Sequence, residues 1–327
     1  RERCHMQEII KAVKDAQTIA IFPHIMADGD AIGSSLALKE FLDRQGKTTY
    51  IIYEEECSYK YQFLFREKKQ RYIYPDVPAK RFDLAISIDS GDMSMLGKRA
   101  ELYKSAPITV NMDHHKTNKM YGDLNYVSLS SAAAGEIIYD FLVSYDPGYV
   151  PDTFTASCLY TAITTDTGGF RYANTTKRTH EIAGILTDCG IDVEYICKQV
   201  FDLMPKPQME LLKRVLPKAS LVHNGKIGII RITRKDYEEV GAKEEHSDGF
   251  VDYVRNVEGV EVAISFKETR DGKVKVSFRS SGVVDVSETA RRFNGGGHEN
   301  AAGCTVEGDL RHVEEEVVQY LLGSMAP

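Results

Sequence analysis

Ile108-Thr109-Val110-Asn111-Met112-Asp113-His114-His115 reads as a short buried strand that runs straight into a carboxylate and two imidazoles. Similar β-branched and apolar runs lie upstream at 18–22, 48–53 and 84–88, interleaved with helical spacing at 31–45 and 93–104. Near-continuous apolar strands alternating with helices predict an α/β fold with a parallel sheet covered on both faces. In open sheets of that kind, ligands bind beyond the carboxyl ends of the strands. Chemistry-bearing side chains fall at those ends. His24, Asp28 and Asp30 follow the first run, Asp89 the third, and Asp113, His114 and His115 the fourth. Asp166 lies near the end of a helix expected at 152–164, which could point it back toward the same crevice.

Further helices are expected at 131–144 and 176–189, each opening on a capping residue, with Gly190 ending the second and Gly46 ending 31–45. The composition shifts at Met204-Pro205-Lys206-Pro207, and a helix at 208–216 leads into a different pattern. Strand pairs are expected around Asn224-Gly225 and, at 260–269 and 273–281, around Asp271-Gly272. With helices at 248–256, 285–293 and 310–322, this is a smaller α+β domain. The division expected is a catalytic domain at 1–205 and a substrate-binding domain at 206–327, facing each other across a cleft.

With 43% hydrophobic and 27% charged residues in 327, the chain is long enough for two cores and ordinary for a soluble protein. No apolar run approaches the roughly 20 residues of a membrane span, and no signal peptide opens the sequence. A start at Arg1 reads as trimmed or engineered. The six cysteines are scattered, and Cys158, Cys189 and Cys304 read as buried free thiols, which fits a cytoplasmic location. A net charge of −7 argues against coating long nucleic acid. It leaves room for a small phosphorylated substrate, because bound divalent cations invert the local potential.

The spacing His24-x-x-x-Asp28-x-Asp30 suits one loop feeding two adjacent cations, with Gly29 letting the backbone turn between the carboxylates. Asp89 is a candidate bridge, and His114 with Asp166 would complete the second position. Each element has a plainer reading by itself: Asp28-Gly29-Asp30 as a surface turn, His24 as a satisfied strand-end histidine, Asp89 as a cap for the next helix. Their shared placement at strand ends favours one site. Mixed imidazole and carboxylate donors suit Mn²⁺, with Mg²⁺, Co²⁺ or Zn²⁺ as alternatives. No Gly-x-Ser-x-Gly elbow supports a serine nucleophile.

In this order, His24-x-x-x-Asp28-Gly29-Asp30-Ala31-x-Gly33-Ser34, Asp89, Asp113-His114-His115 and Thr165-Asp166-Thr167-Gly168 resemble the four motifs of the DHH phosphoesterases. Phe278-Arg279-Ser280-Ser281-Gly282 and Gly295-Gly296-Gly297-His298-Glu299-Asn300-Ala301-Ala302-Gly303 resemble that family's associated substrate-binding domain. Met26-Ala27 before Asp28 departs from relatives that carry Pro there, which bears on loop stiffness alone. The resemblance implies metal roles for His24, Asp28, Asp30, Asp89, His114 and Asp166, an orienting role for Asp113, and a proton-shuttling or phosphate-facing role for His115. It implies substrate contacts by Arg279, Ser280, Ser281, Gly295, Gly296, Gly297 and His298, and Arg171 is a further candidate. It further implies hydrolysis of very short oligoribonucleotides or 3′-phosphoadenosine 5′-phosphate by a hydroxide activated between two metal ions. Cyclic di-AMP or a linear dinucleotide is the alternative substrate, and a homodimer is left open.

Two readings stay paired. Gly295-Gly296-Gly297 is either a flexible loop before a helix start at Asn300 or a backbone cradle for phosphate, with His298 adding a donor. Phe170 and Tyr172 either pack or stack on a base. The 59–71 segment is expected as an amphipathic surface helix. A catalytically silent nucleotide sensor would lack a metal ligand, and none is missing.

Overall fold

The strand runs form as their composition dictates. In a computed structural model, which describes residues 2–65, 71–78 and 81–324 (side chains of 2–5 and of residue 298 excepted), two compact units appear, Arg1–Leu203 and Met204–Pro327. The first contains β1 (Thr18–Pro23), β2 (Thr48–Tyr53), β3 (Tyr72–Ile73), β4 (Leu84–Ile88), β5 (Thr109–Asp113) and β6 (Leu124–Val127). They form one parallel sheet in the order β3-β2-β1-β4-β5-β6. Its helices are α1 (Glu2–Asp15), α2 (Gly29–Arg44), α3 (Ala100–Lys104), α4 (Ala134–Tyr145), α5 (Thr153–Asp166), α6 (Lys177–Asp188) and α7 (Val193–Cys197).

Both faces of this sheet are covered, as near-continuous apolar strands require. Alternate side chains of β1 go opposite ways: Ile19 and Ile21 join Leu36, Phe41, Ile138 and Leu159 in the larger cluster. Ala20 and Phe22 join Phe82, Leu96 and Tyr103 in a thinner layer. That thinner layer corrects one expectation. Instead of one helix over 93–104 there is a 3₁₀ segment, Met93–Arg99, then α3, because Gly97 takes φ +57 and breaks the helical path. The 59–71 helix is likewise reduced to a 3₁₀ turn, Tyr59–Leu64; 66–70 lie outside the described residues.

The second unit holds α8 (Lys206–Val215), α9 (Arg234–Val240), α10 (Phe250–Arg255), α11 (Val286–Arg292) and α12 (Leu310–Ser324). Its strands are β7 (Ser220–Val222), β8 (Ile227–Ile232), β9 (Val262–Glu268), β10 (Lys273–Ser280), β11 (Gly296–His298) and β12 (Ala301–Glu307). They form a mixed sheet in the order β11-β12-β10-β9-β8-β7. Both expected hairpins are present; His223, Asn224 and Gly225 take φ of 53°, 54° and 84° to close the first. The helix start expected at Asn300 is not formed. Residues 301–307 pair as a strand with β10 and β11, and cross-strand pairing overrides the helix-favouring alanines. No described helix is long and apolar enough to cross a membrane.

Candidate metal centre

Register brings the functional side chains together. Pro23 pairs with Ile88 and Ile88 with Met112, so the carboxyl ends of β1, β4 and β5 lie in one row. His24, Asp89 and Asp113-His114 therefore emerge side by side, adjacent strands being about 4.8 Å apart. Asp89 leaves β4 with φ +56, a left-handed conformation that Asp tolerates better than most side chains. It does not cap the following segment; Asp92 does, accepting the amide of Ser94.

Asp28 and Asp30 arrive on the first turn of α2. Asp28 is the N-cap and accepts the amides of Asp30 and Ala31 at 3.0 and 3.1 Å. Asp30 is fully buried and reaches the bare amino end of α4, accepting Ala134 N–H at 2.6 Å and Gly135 N–H at 2.9 Å. Ser34 adds a bond to the same carboxylate at 3.1 Å. Gly29 has a different job from the expected turn. A Cβ there would sit 2.2 Å from Thr165 Oγ1, and one at Gly33 would sit 2.3 Å from the Cys158 carbonyl oxygen. The two glycines let α2 lie against α5, whose last residue is Asp166.

The donor atoms form three overlapping groups, one of them Asp89, Asp113, His114 and His115. His24, Asp28 and Asp89 offer donor atoms within 4.8 Å of one another, as do Asp30, His114 and Asp166. Asp89 touches both: Oδ2 lies 3.6 Å from His24 Nε2, and Oδ1 lies 3.3 Å from His114 Nε2. His24 is held in one orientation by its Nδ1, which donates to the Ile25 carbonyl at 2.6 Å, leaving Nε2 turned toward the acids. Outer bonds of that kind orient metal-binding imidazoles. His114 Nε2 also lies 3.6 Å from Asp166 and 3.7 Å from Asp30.

Electrostatics tell the same story. Burial alone would lower the His24 pKa, but the hydrogen bond and charge of Asp28, with the charge of Asp89, raise it to about 10. His114 also reaches about 10, its burial outweighed by Asp89, Asp30 and Asp166. Burial, then the Asp89 and Asp166 charges, pushes Asp30 well above the ordinary carboxylate range. Burial, partly offset by His114, takes Asp166 to about 7. So much buried negative charge calls for compensation. Asp89 Oδ1 is buried without a hydrogen bond, and the oxygen and imidazole donors are those of Mn²⁺, Mg²⁺ or Zn²⁺ sites. The residues fit divalent metal.

Behind the cluster lies a polar network of which sequence reading named Asp113 and His115 but missed Asn118, Asn111, Tyr121 and Ser87. His115 Nδ1 lies 2.7 Å from Asp113 Oδ1, and Asn118 donates to Asp113 Oδ2 at 2.6 Å and to Asn111 Oδ1 at 2.8 Å. Asn111 and Tyr121 both donate to Ser87 Oγ, at 3.0 and 2.9 Å. The available signal was polar residues inside apolar strands: Ser87 and Asn111 are fully buried.

The expected substrate-binding residues make local contacts within their own units. Arg171 is exposed, with Nε bonded to the Gly168 carbonyl at 2.6 Å. Ser280 Oγ accepts the amides of Gly282 and Val284, and Ser281 Oγ donates to the Glu261 carbonyl, so both hydroxyls serve local turns. Arg279 instead shares a face of β10 with Ser277 and Lys275, and Lys275 pairs with Lys267 on β9. Those three residues went unnoticed in the sequence. Gly296 and Gly297 lie in β11 rather than in a flexible loop. A Cβ at Gly295 would meet the Gly303 carbonyl oxygen at 2.1 Å, and one at Gly297 the Ala301 oxygen at 2.5 Å. The His298 side chain lies outside the described residues.

Residues 18–163 match the DHH family N-terminal domain, and residues 226–322 match the DHHA1 domain. The chain belongs to the DHH family of phosphoesterases and is an enzyme. Among its relatives is the bifunctional oligoribonuclease and PAP phosphatase NrnA of Thermus thermophilus, 33% identical over 95% of this chain and 91% of that protein. The protein of the same name from Bacillus subtilis is 27% identical over 91% of this chain and 92% of its own. An exopolyphosphatase-related protein from Bacteroides fragilis shares the fold with a TM-score of 0.91 at 24% identity, covering 98% of this chain and 96% of its own.

Proposed function

We propose that this enzyme hydrolyses very short oligoribonucleotides and 3′-phosphoadenosine 5′-phosphate, using two divalent cations of which Mn²⁺ is the best fit. The names of the Thermus and Bacillus relatives support the substrates. The observation that carries the two-cation reading is the Asp89 carboxylate, which turns one oxygen to each histidine and joins the two donor groups. On this reading His24, Asp28 and Asp89 hold one ion, and Asp30, His114, Asp166 and Asp89 the other. Bound there, such ions act as Lewis acids toward phosphoryl oxygens and lower the pKa of water.

The protein's own groups do the rest. The buried Asp113 carboxylate lies beside His115 Nδ1, with Asn118 holding its other oxygen. Burial would lower the His115 pKa, but the hydrogen bond to Asp113 and the charge of Asp89 raise it, which favours the protonated ring. His115 is thereby suited to give a proton to the leaving oxygen, and Asp113 to fix its tautomer. Arg279, whose Nη1 donates to the Phe278 carbonyl at 2.9 Å, is the natural clamp for a second phosphate. Gly295, Gly296, Gly297 and His298 belong to the same proposal as a backbone and side-chain contact, and Arg171 as a peripheral one. A cytoplasmic location follows from such substrates.

The test is a panel of short RNA, short DNA, cyclic dinucleotides, nucleoside bisphosphate and pyrophosphate, each with Mn²⁺. Turnover confined to pyrophosphate, or binding without turnover, would overturn the proposal. A preference for cyclic di-AMP would move the assignment to a cyclic-dinucleotide phosphodiesterase.

A further inference from the structure

Arg99 is a fully buried cation at the end of the 3₁₀ segment Met93–Arg99. Its Nη1 donates to the Pro23 carbonyl at 2.9 Å and to the Ile52 carbonyl at 2.7 Å, and its Nε to the Leu96 carbonyl at 3.0 Å. Its Nη2 is buried without a hydrogen-bond partner. The nearest carboxylate, Glu54, stands 3.9 Å from Nε and spends the same oxygen on the Lys98 amide at 2.7 Å. Burying a guanidinium with one nitrogen unsatisfied and a distant counter-charge is a poor way to stabilise a core.

What Arg99 touches gives it another use. Pro23 immediately precedes His24, and its carbonyl is fixed by Arg99. Ile25 immediately follows His24, and its amide is fixed by the Met95 carbonyl, at 2.8 Å, from the same 3₁₀ segment. The Ile25 carbonyl then holds the His24 ring through Nδ1. Both sides of His24, and so its Nε2 direction, are set by residues 93–99. The other donor group has separate supports: Asp30 is held by α4 amides and Ser34, and Asp166 is carried by α5.

We infer that Arg99 is a positioning residue for one half of the metal centre: it aims His24, and through it sets affinity for the cation held by His24, Asp28 and Asp89, leaving the other cation alone. The inference rests on the two-cation reading above. Asp89, shared by both groups, leaves β4 with its amide donating to the Met112 carbonyl at 3.0 Å, a bond independent of Arg99.

The test is Mn²⁺ binding to the full-length chain, followed by calorimetry and by electron paramagnetic resonance, without substrate. Wild type is expected to bind two ions and give an exchange-coupled spectrum. Arg99→Met is expected to bind one ion as before and the other at least 10-fold more weakly, with an uncoupled six-line signal at intermediate Mn²⁺. Arg99→Lys, which keeps a donor for the Pro23 carbonyl, is expected to fall between. His24→Ala and His24→Ala/Arg99→Met are expected to match in residual affinity, because Arg99 acts only through His24. Further loss in the double variant, or equal weakening of both ions in Arg99→Met, would overturn the inference. So would the same selective loss in Leu142→Ala, a core variant chosen to lower the melting temperature comparably. Wild type binding a single ion would overturn the two-cation reading itself, whereas two tight ions in Arg99→Met would overturn the role of Arg99 alone.

Discussion

The carboxyl edge of the first sheet and the β11–β12 edge of the second are both crowded, but with different things. At the first, Asp28, Asp30, Asp89 and Asp166 converge around His24 and His114. At the second, the backbone of Gly295 and Gly297 is pressed against Gly303, Ala301 and Ala302. Crowded charge is unfavourable unless a counter-ion arrives, so its presence in a folded chain points to a ligand. Crowded backbone is ordinary sheet packing. It explains glycine with no ligand at all. The two edges thus carry unequal evidence for function, and substitutions can test that inequality.

The largest effect is expected at Asp89. Asp89→Asn keeps the shape but removes the charge that both histidines face, and kcat on a dinucleotide with Mn²⁺ is expected to fall about 10²–10³-fold. The metal-free melting temperature is expected to fall, because the Asp89 charge also supports the protonated forms of His24 and His114. Near-normal turnover would break the contrast by showing that the charged edge is dispensable. The alanine triple variant at Asp113, His114 and His115 makes the same point with a larger lesion.

Glycine also matters at the first edge, which keeps the comparison fair. Gly29→Ala places a methyl 2.2 Å from Thr165 Oγ1 and is expected to cost about 3 kcal/mol in urea unfolding. Thr165→Ala in that background should recover part of the loss, since Thr165 Cβ, 2.8 Å away, remains. Full stability in Gly29→Ala would show that α2 and α5 have room to separate.

Acid response separates the units by sign. In the second, Asp236 accepts from Arg214 at 2.8 Å, Lys218 at 2.6 Å and Thr233 at 2.8 Å. Burial would raise its pKa, but Lys218, Thr233 and Arg214 together hold it at about 2. A depressed carboxylate gives stability that is present above the unfolded pKa of about 4 and is lost as pH falls toward 2. Asp236→Asn is expected to cost about 2 kcal/mol at pH 7 and to flatten that acid limb. In the first unit Asp166 is raised to about 7, so the metal-free chain gains stability as pH falls through 7 toward 4, and Mn²⁺ should remove that gain. Melting temperatures from pH 8 to 3, with and without Mn²⁺, check both slopes.

How much of this was legible depends on what each residue type can say alone. The parallel sheet was readable because apolar runs and helical spacing alternate, and the acid and histidine set was readable because it follows those runs. The support for that set was not. Asp30 finds α4 amides more than 100 residues away, and Asn118 finds Asp113 only because the loop after β5 folds back. The 3₁₀ break at Gly97 needs one positive φ, which a Gly at that position permits but does not announce. At 301–307 the preferences conflict, alanines for helix and Thr305 and Val306 for strand, and pairing with β10 decides for strand.

The smallest effect is the most discriminating for the second edge. Gly296 is exposed, and a Cβ there would meet nothing within 4 Å, so Gly296→Ala leaves β11 intact. If phosphate approaches this backbone, the added methyl stands in its way, and KM for a dinucleotide should rise about 5-fold, roughly 1 kcal/mol, at unchanged kcat. Arg279→Gln is the companion, since Arg279 lies in register with Ala301, which pairs with residue 298. A rise in KM for both variants makes the glycine run a ligand-facing surface as well as a packed one. A rise for Arg279→Gln alone leaves the arginine face of β10 as the contact and reduces the glycines to packing. With neither variant affected, substrate does not touch this edge, and the charged edge of the first sheet must account for binding as well as for chemistry.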